Sequence, residues 1–398
     1  MHKQNIYKVN ILLPLIDVFI VYCVCTFLYA YDNFAIKAAM SLFIIILIGK
    51  EVDNRSFIQK NILLFFLWGG IYVFFQFVKS DYSHLTVLAS FWYIIVSVII
   101  FEYLSNIKNN NLRLVQLSIL VSCIATIIIL NLYPLAARAI GGVGAGSEDV
   151  NQLVKMGCGG YGYIYGLVPI SYALVEWLIN DAKKRFSMQK VFMIFLLVVV
   201  DLTIIKSNFT TALLVTVLGS LYALLIREKR YWTIVVAGVL LLFVAFNLNS
   251  ILISIKNIAI NANMTLLSHK MDLLLSAQSS GDASSMARYI VFQKSIAAFL
   301  SNPILGSTDL GGHSFVFDTI GLCGIAGFVI VFGVINLFKQ FRLVLEKKVI
   351  WGLTTIFVLL ATFDTFSACN QIVMSFLVAP MIILNGKKQD KSFEDVVL

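Results

Sequence analysis

Long apolar runs separated by short polar breaks make up this chain, and within each run the hydrophobic residues are continuous rather than alternating in twos. With Gly, Pro and charge as punctuation, the runs fall near residues 10–30, 34–49, 61–78, 85–104, 114–132, 159–179, 190–206, 209–226, 231–254, 314–337, 349–367 and 371–385. A hydrocarbon layer of about 30 Å takes roughly 20 apolar residues per helix, and backbone groups in lipid must be satisfied within the element. The pattern predicts an all-α, polytopic membrane protein of about 12 transmembrane helices. Continuous rather than period-two runs argue against a barrel. The first run follows "MHKQNIYK"; it is too long for a cleaved signal segment and lacks a convincing cleavage site, so it is expected to be retained.

Composition agrees: 60% hydrophobic residues, 13% charged and a mean hydropathy of +0.90 exclude a soluble domain of this length. Charge then orients the helices. With 12 spans, 21 of the 30 Lys and Arg fall on one side and nine on the other. The positive-inside rule places the basic side, and with it both termini, in the cytoplasm. The net charge of +9 is therefore a topology signal and an attraction to anionic lipid, with no case for nucleic acid. Six Cys lack metal spacing and read as small buried hydrophobes. Only Cys158 and Cys369 are expected near the outer face, where a disulfide could persist.

No internal repeat appears, and 1–398 reads as a single integral membrane domain. Its cytoplasmic loops are short and basic, while two outer segments are long, 133–158 and 255–313. Function collects on loops held by a rigid scaffold, so the outer side is where chemistry is expected. In the larger loop a flexible "AQSSGDASS" precedes a helix expected over 286–301, capped by Ser284 or Ser285 and stopped by Asn302-Pro303. At about 100° per residue, Gln293, Lys294 and Ala297 share a face, and Arg288 lies opposite with Phe292, Ser295 and Phe299. The helix is expected to lie on the membrane surface with Arg288 inward.

Charge at a membrane costs roughly 2.5 to 3.5 kcal/mol on insertion scales, so each ionised residue asks for a partner or a task. Arg288 keeps its proton at any realistic pH, and its planar fork suits phosphate or carboxylate; the plainer alternative is snorkelling to headgroups. Lys206, in "IIKSNFTTA", ends a span at a tight hairpin and is a substrate-binding candidate, or a snorkelling lysine. Arg138 opens a Gly-rich outer loop in which Glu148, Asp149 and Asn151 either grip sugar hydroxyls or are merely solvated. His313, after Gly311-Gly312 and before Ser314, is expected where the chain re-enters the bilayer. There a neutral imidazole can take a proton from a hydroxyl, or be a boundary residue. Asp318 lies off the face of His313, inside the membrane, and needs a donor; it orients the site or pairs with a base. Asp201 and Asp364 are buried acids of the same kind, and Asp17, Glu102 and Glu176 would suit a transporter. No metal-spaced cluster, paired-Asp signature or Ser elbow is present.

Arg288, Asn302-Pro303, Gly306, His313-Ser314 and the glycines Gly321 and Gly324, in "NPILG…GGHSFVFDTIGLCGIAG", form a pattern that resembles the O-antigen polymerase and ligase superfamily, which includes Wzy-type polymerases of capsules and exopolysaccharides. The layout, about 12 spans with one large outer loop before the last three, resembles it too. "EDVNQL" is similar to an Asn-bearing family stretch. "KSNFTTALL" departs from the family's Ser-Arg turn, since Lys206 precedes the Ser and no Arg follows.

The resemblance implies a glycosyltransferase of GT-C-like fold in the bacterial cytoplasmic (inner) membrane, with its active site facing outside. Its substrates would be oligosaccharide repeats on undecaprenyl pyrophosphate, and flippase and chain-length regulator proteins its possible partners. Arg288 would neutralise the departing pyrophosphate, Lys206 and Arg138 would help, and His313 would deprotonate or position the acceptor hydroxyl. Asn151, Ser314 and Asp318 would contact substrate. Fixed cations make a metal or cofactor unnecessary, and the lack of a carboxylate pair favours single inversion. Polymerase is the preferred activity; the alternatives are an O-antigen ligase, a flippase or transporter of lipid-linked oligosaccharide, and a membrane scaffold.

Overall fold

The computed structural model describes residues 11–52, 55–80, 87–107, 112–140, 147–180, 187–225, 248–261, 264, 268–269, 271–272 and 283–386. Among them the secondary structure is entirely helical. In order the helices are α1 (Leu12–Val24), α2 (Phe34–Glu51), α3 (Ser56–Val78), α4 (Val87–Ser105), α5 (Arg113–Leu132), α6 (Ala136–Ala139), α7 (Glu148–Lys155), α8 (Tyr161–Asn180), α9 (Met188–Lys206) and α10 (Thr210–Leu225). They continue with α11 (Leu248–Asn261), α12 (Ala283–Ser301), α13 (Phe315–Cys323), α14 (Ile325–Leu337), α15 (Lys347–Phe363) and α16 (Cys369–Gly386). A 3₁₀ helix, Thr26–Tyr31, follows α1, and another, Phe338–Leu343, extends α14.

Seven of these are long and apolar enough to cross a membrane: α3, α4, α5, α8, α9, α14 with its extension, and α16; α1 and α10 are shorter apolar helices. The protein is thus a polytopic helical membrane protein. Residues 231–247 of the expected ninth run lie outside the described residues, and α11 carries its end from 254 on to Asn261.

Burial sorts the bundle. The apolar windows of α8 and α16 are 78% and 83% buried, against 33% for α3 and α9, so the first pair forms the centre and the second faces outward. Glycines let the central helices touch: a Cβ on Gly166 would stand 3.1 Å from the Gln371 Cα, and one on Gly162 would overlap Ala368. Around the lower part of α16, Phe338, Phe357, Phe366 and Phe376 interlock, with Phe338 and Phe376 at 4.7 Å and Phe357 and Phe366 at 4.9 Å.

Polar contacts mark two ends. At one, Tyr103 donates to Glu51 at 2.5 Å, and Asn61 and Gln340 bond reciprocally at 3.1 and 3.3 Å. At the other lie the connections 26–33, 133–140 with 147–160, 302–314 and 364–368, and this loop-rich end carries the candidate chemistry.

One expected span is corrected. Residues 314–337 do not form a single helix: the chain breaks at Gly324, φ 58°, between α13 and α14, and the membrane-length segment begins at Ile325. The nine residues of α13 rise only about 13 Å. Its first residue bonds through the Phe315 amide to the Asp364 carbonyl beyond α15, and its last turn receives Lys79 from the end of α3. Both ends of α13 therefore sit at the loop-rich end, and the helix lies across the bundle rather than through it. His313 begins this crosswise helix instead of marking entry into a span.

Candidate functional site

The segment 311–314 is fixed to α12 by its backbone. Gly311 passes so close to α12 that a Cβ there would fall 2.1 Å from the Val291 carbonyl oxygen. Its amide donates to the Ser295 hydroxyl at 2.9 Å, and Ser295, 1% exposed, donates in turn to Asp318 Oδ1 at 2.5 Å. The other Asp318 oxygen accepts from the Ser314 amide at 2.9 Å, and the Gly312 amide reaches Oδ1 at 3.3 Å, with Gly312 at φ 73°. Asp318 thus has its donors, two main-chain amides and one hydroxyl, and it ties α12, the incoming segment and the first turn of α13 together. A carboxylate in that turn also complements the positive end of the helix.

Ser314 caps α13. Its hydroxyl accepts from the Phe317 amide at 3.1 Å, donates to the Ala361 carbonyl of α15 at 3.4 Å, and is buried. Between these anchored residues His313 is exposed. The arrangement holds an imidazole on a short, hydrogen-bonded segment while leaving the ring open.

Helix α12 begins at Ala283, so Ser284 and Ser285 lie inside it and do not cap a helix starting at 286. The expected faces hold where side chains are described. Lys294 is exposed and meets Asp309 at 3.4 Å, whereas Ser295 is buried. Phe292 packs on Phe317 and Phe363 at 5.6 and 5.9 Å, and Phe299 on Phe328 at 5.7 Å. Arg288 is on α12 one turn before Val291, the point where Gly311 crosses; its side chain lies outside the described residues.

The stretch after α12 is architectural. The Asn302 side chain accepts from the Leu305 amide at 3.1 Å, the Pro303 carbonyl accepts from Ile325 at 2.7 Å, and the Gly321 carbonyl accepts from Ser307 at 2.9 Å. Gly306 adopts φ 67° in this turn. Asn302, Pro303 and Gly306 form a socket for the break at Gly324. The Lys79 ammonium donates to the Leu322 carbonyl at the same place, a cation at the negative end of α13, and lies over the Phe75 ring. Sequence reasoning passed over Lys79, whose position after an apolar run was its signal.

Beside the first residue of α13 is a second anchored acid, whose carbonyl accepts from the Phe315 amide. Asp364, 3% exposed, accepts from Gln371 Nε2 at 2.7 Å, and from the Tyr161 hydroxyl and the Thr365 and Phe366 amides. It follows the last residue of α15, in the connection to α16. Burial pushes its pKa above the ordinary carboxylate value, and the bonds from Gln371, the two amides and Tyr161 oppose that rise. Tyr161 stacks on Tyr165 at 4.5 Å, both pack against Phe209, and the Arg138 guanidinium lies 5.1 Å over the Phe209 ring while Nη2 donates to the Asn208 carbonyl at 2.8 Å. Asn208 takes φ 58° in the turn between α9 and α10. Arg138 is thereby linked through aromatic rings to the Asp364 anchor.

Lys206 and Asn151 are exposed, Lys206 at the end of α9 and Asn151 on α7, which packs against the 3₁₀ helix Thr26–Tyr31. No described contact joins either to the segment 311–314. Asp201 accepts from Ser171 at 2.6 Å between α8 and α9, away from these loops.

Cys158 and Cys369 do not meet. Cys158 faces the Gly159 carbonyl at 3.8 Å, its thiol pushed up to about 12 by burial, and Cys369 Sγ lies 3.6 Å from Cys23 Sγ.

Comparison with protein-family models, curated proteins and solved structures finds no match to this chain.

Proposed function

We propose that this protein polymerises oligosaccharide repeats carried on undecaprenyl pyrophosphate, at the outer face of a bacterial cytoplasmic membrane, as a metal-independent inverting glycosyltransferase. In this proposal the chain has twelve spans in a GT-C-like arrangement, both termini are cytoplasmic, and the loop-rich end faces outward. The observation that carries it is the crossing of 311–314 over α12. Gly311 rests on Val291 and is bonded to Ser295, so the open imidazole of His313 begins beside the helix turn that bears Arg288.

The chemistry follows from those two groups. An acceptor sugar hydroxyl attacks the anomeric carbon of the donor repeat. The C–O bond to pyrophosphate breaks, its electron pair leaves on the phosphate oxygen, and the hydroxyl proton passes to the His313 imidazole. Arg288 holds the growing negative charge on the departing phosphate, the role a fixed cation serves best. Arg138 and Lys206 are assigned to the carrier phosphates, and Asn151 to sugar hydroxyls. Ser314 and Asp318 have their polar atoms engaged within the protein, which suits them to positioning His313.

Purified protein with lipid-linked repeats tests the proposal, comparing wild type with Arg288→Ala and His313→Ala. Loss of chain growth in both is expected, and ordinary growth in both overturns the assignment. In cells lacking the protein, single repeats displayed outside on lipid indicate a missing polymerase, whereas repeats trapped inside indicate a missing flippase.

A further inference from the structure

Cysteines 346 positions apart are brought together at the loop-rich end. Cys23, fully buried in the last turn of α1, lies with its Sγ 3.6 Å from that of Cys369, the first residue of α16, and Cys369 is half-buried. The remaining four cysteines have other surroundings: half-buried Cys25 caps the end of α1, Cys123 meets the Tyr163 hydroxyl at 3.3 Å, Cys158 faces the Gly159 carbonyl, and Cys323 is buried beside the break at Gly324. Closing the gap to a covalent bond takes an approach of about 1.5 Å, within the reach of small side-chain rotations.

We propose that Cys23 and Cys369 form a structural disulfide joining the first and last helices of the bundle. Two S–H bonds break and one S–S bond forms; the two electrons and two protons pass to a protein disulfide of the thiol-oxidising kind, which is reduced to a dithiol. Half-buried Cys369 is the sulfur such an oxidant reaches first, giving a mixed disulfide that buried Cys23 resolves. The site also gains from the bond. Cys369 is followed by Asn370, which donates to the Tyr29 hydroxyl, and by Gln371, which donates to the Asp364 anchor of α13. A covalent link at 369 fixes the start of α16, and with it the support on which His313 stands. The inference rests on the outward orientation of the loop-rich end in the proposed reading, and not on the transfer chemistry assigned to His313 and Arg288.

Full-length protein is quenched with acid in cells, its free thiols are blocked with N-ethylmaleimide under denaturing conditions, and thiols released by reduction are tagged with a heavier maleimide. Of the six cysteines, the expected result is that four are blocked at once and two are tagged only after reduction, mapping to peptides containing 23 and 369. Cys25→Ser and Cys158→Ser keep both late tags, while Cys23→Ser and Cys369→Ser each lose both. Blocking of all six in wild type overturns the proposal, even if an added oxidant later links the pair. Late tags that survive in Cys369→Ser, or that map to Cys25, overturn it as well. Should Cys23→Ser fail to accumulate, the wild-type peptide map decides alone.

Discussion

Asp318→Ala should release the segment that carries His313 while leaving the bundle intact. The substitution removes the acceptor for the Ser295 hydroxyl at 2.5 Å, for the Ser314 amide at 2.9 Å and for the Gly312 amide at 3.3 Å. Gly312 is exposed, so water replaces its long bond at little cost. Ser295 and Ser314 are each 1% exposed, and water does not reach them. A bond to a charged acceptor contributes about 1.5 to 3 kcal/mol, and a buried donor left unmade costs a similar amount. Ser295 can rotate its hydroxyl elsewhere, so the low end of the two-bond sum, about 3 kcal/mol, is the expected loss.

That loss favours opening of 311–314 by about 100-fold. Hydrogen exchange followed by mass spectrometry reads it directly, because the Gly311, Ser314 and Phe317 amides all donate within this clasp. They should exchange about 100-fold faster in Asp318→Ala and about 10-fold faster in Asp318→Asn, which keeps one acceptor oxygen. Amides of the central α8 should not change. Unaltered exchange at 311–317, or an equal rise in α8, would show that the clasp does not hold the segment.

Further consequences concern the neighbouring anchors. Gly311→Ala forces a Cβ against the Val291 carbonyl, so chain growth should fall at least 10-fold with little change in Tm; wild-type rates would mean that the crossing is not needed for catalysis. Lys79→Met removes the cation from the end of α13 and should cost about 1 to 2 kcal/mol, seen as a lowered Tm that Lys79→Arg restores in part. Asp364 has a raised folded-state pKa, so it contributes most stability when protonated, below its unfolded value of about 3.9, and that contribution declines as pH rises toward the folded value. The Tm of wild type relative to Asp364→Asn should therefore fall as pH increases from about 4, and a relative gain over that window contradicts the assignment.

Periodicity made most of the bundle legible, because lipid leaves the backbone few options and the runs had to be helices. Ten expected runs coincide with described helices or parts of them, and the faces of α12 from Phe292 to Phe299 followed from 3.6-residue spacing alone. Residues 314–337 misled because an apolar count cannot register a change of direction. "FVFDTIGLCGIAG" is apolar on both sides of Gly324, and only the carbonyls of Pro303 and Ile304 beneath that glycine reveal why the helix stops there. The neighbour of Cys369 was hidden for a related reason: helix neighbours 346 residues apart leave no local trace in the sequence.

The motif residues themselves divide by a physical criterion that sequence could not apply. Asn302, Gly306, Gly311, Ser314 and Asp318 are irregular or polar positions whose hydrogen-bonding groups or close approaches are taken up inside the fold. Recruiting the Ser314 hydroxyl or the Asp318 carboxylate to a ligand would break internal bonds at about 1 to 3 kcal/mol each, which a sugar hydroxyl repays poorly. His313 incurs no such loss, since its ring is exposed while its neighbours on both sides are bonded. A short stretch that spends two glycines, a cap and a half-buried acid on holding one exposed imidazole has a shape that solvation alone does not require. For that reason the sharper test lies in separating the two classes. Asp318→Asn should lower chain growth through misplacement and speed amide exchange at 311–317, whereas His313→Gln should remove the proton acceptor and abolish chain growth while exchange at 311–317 stays as in wild type.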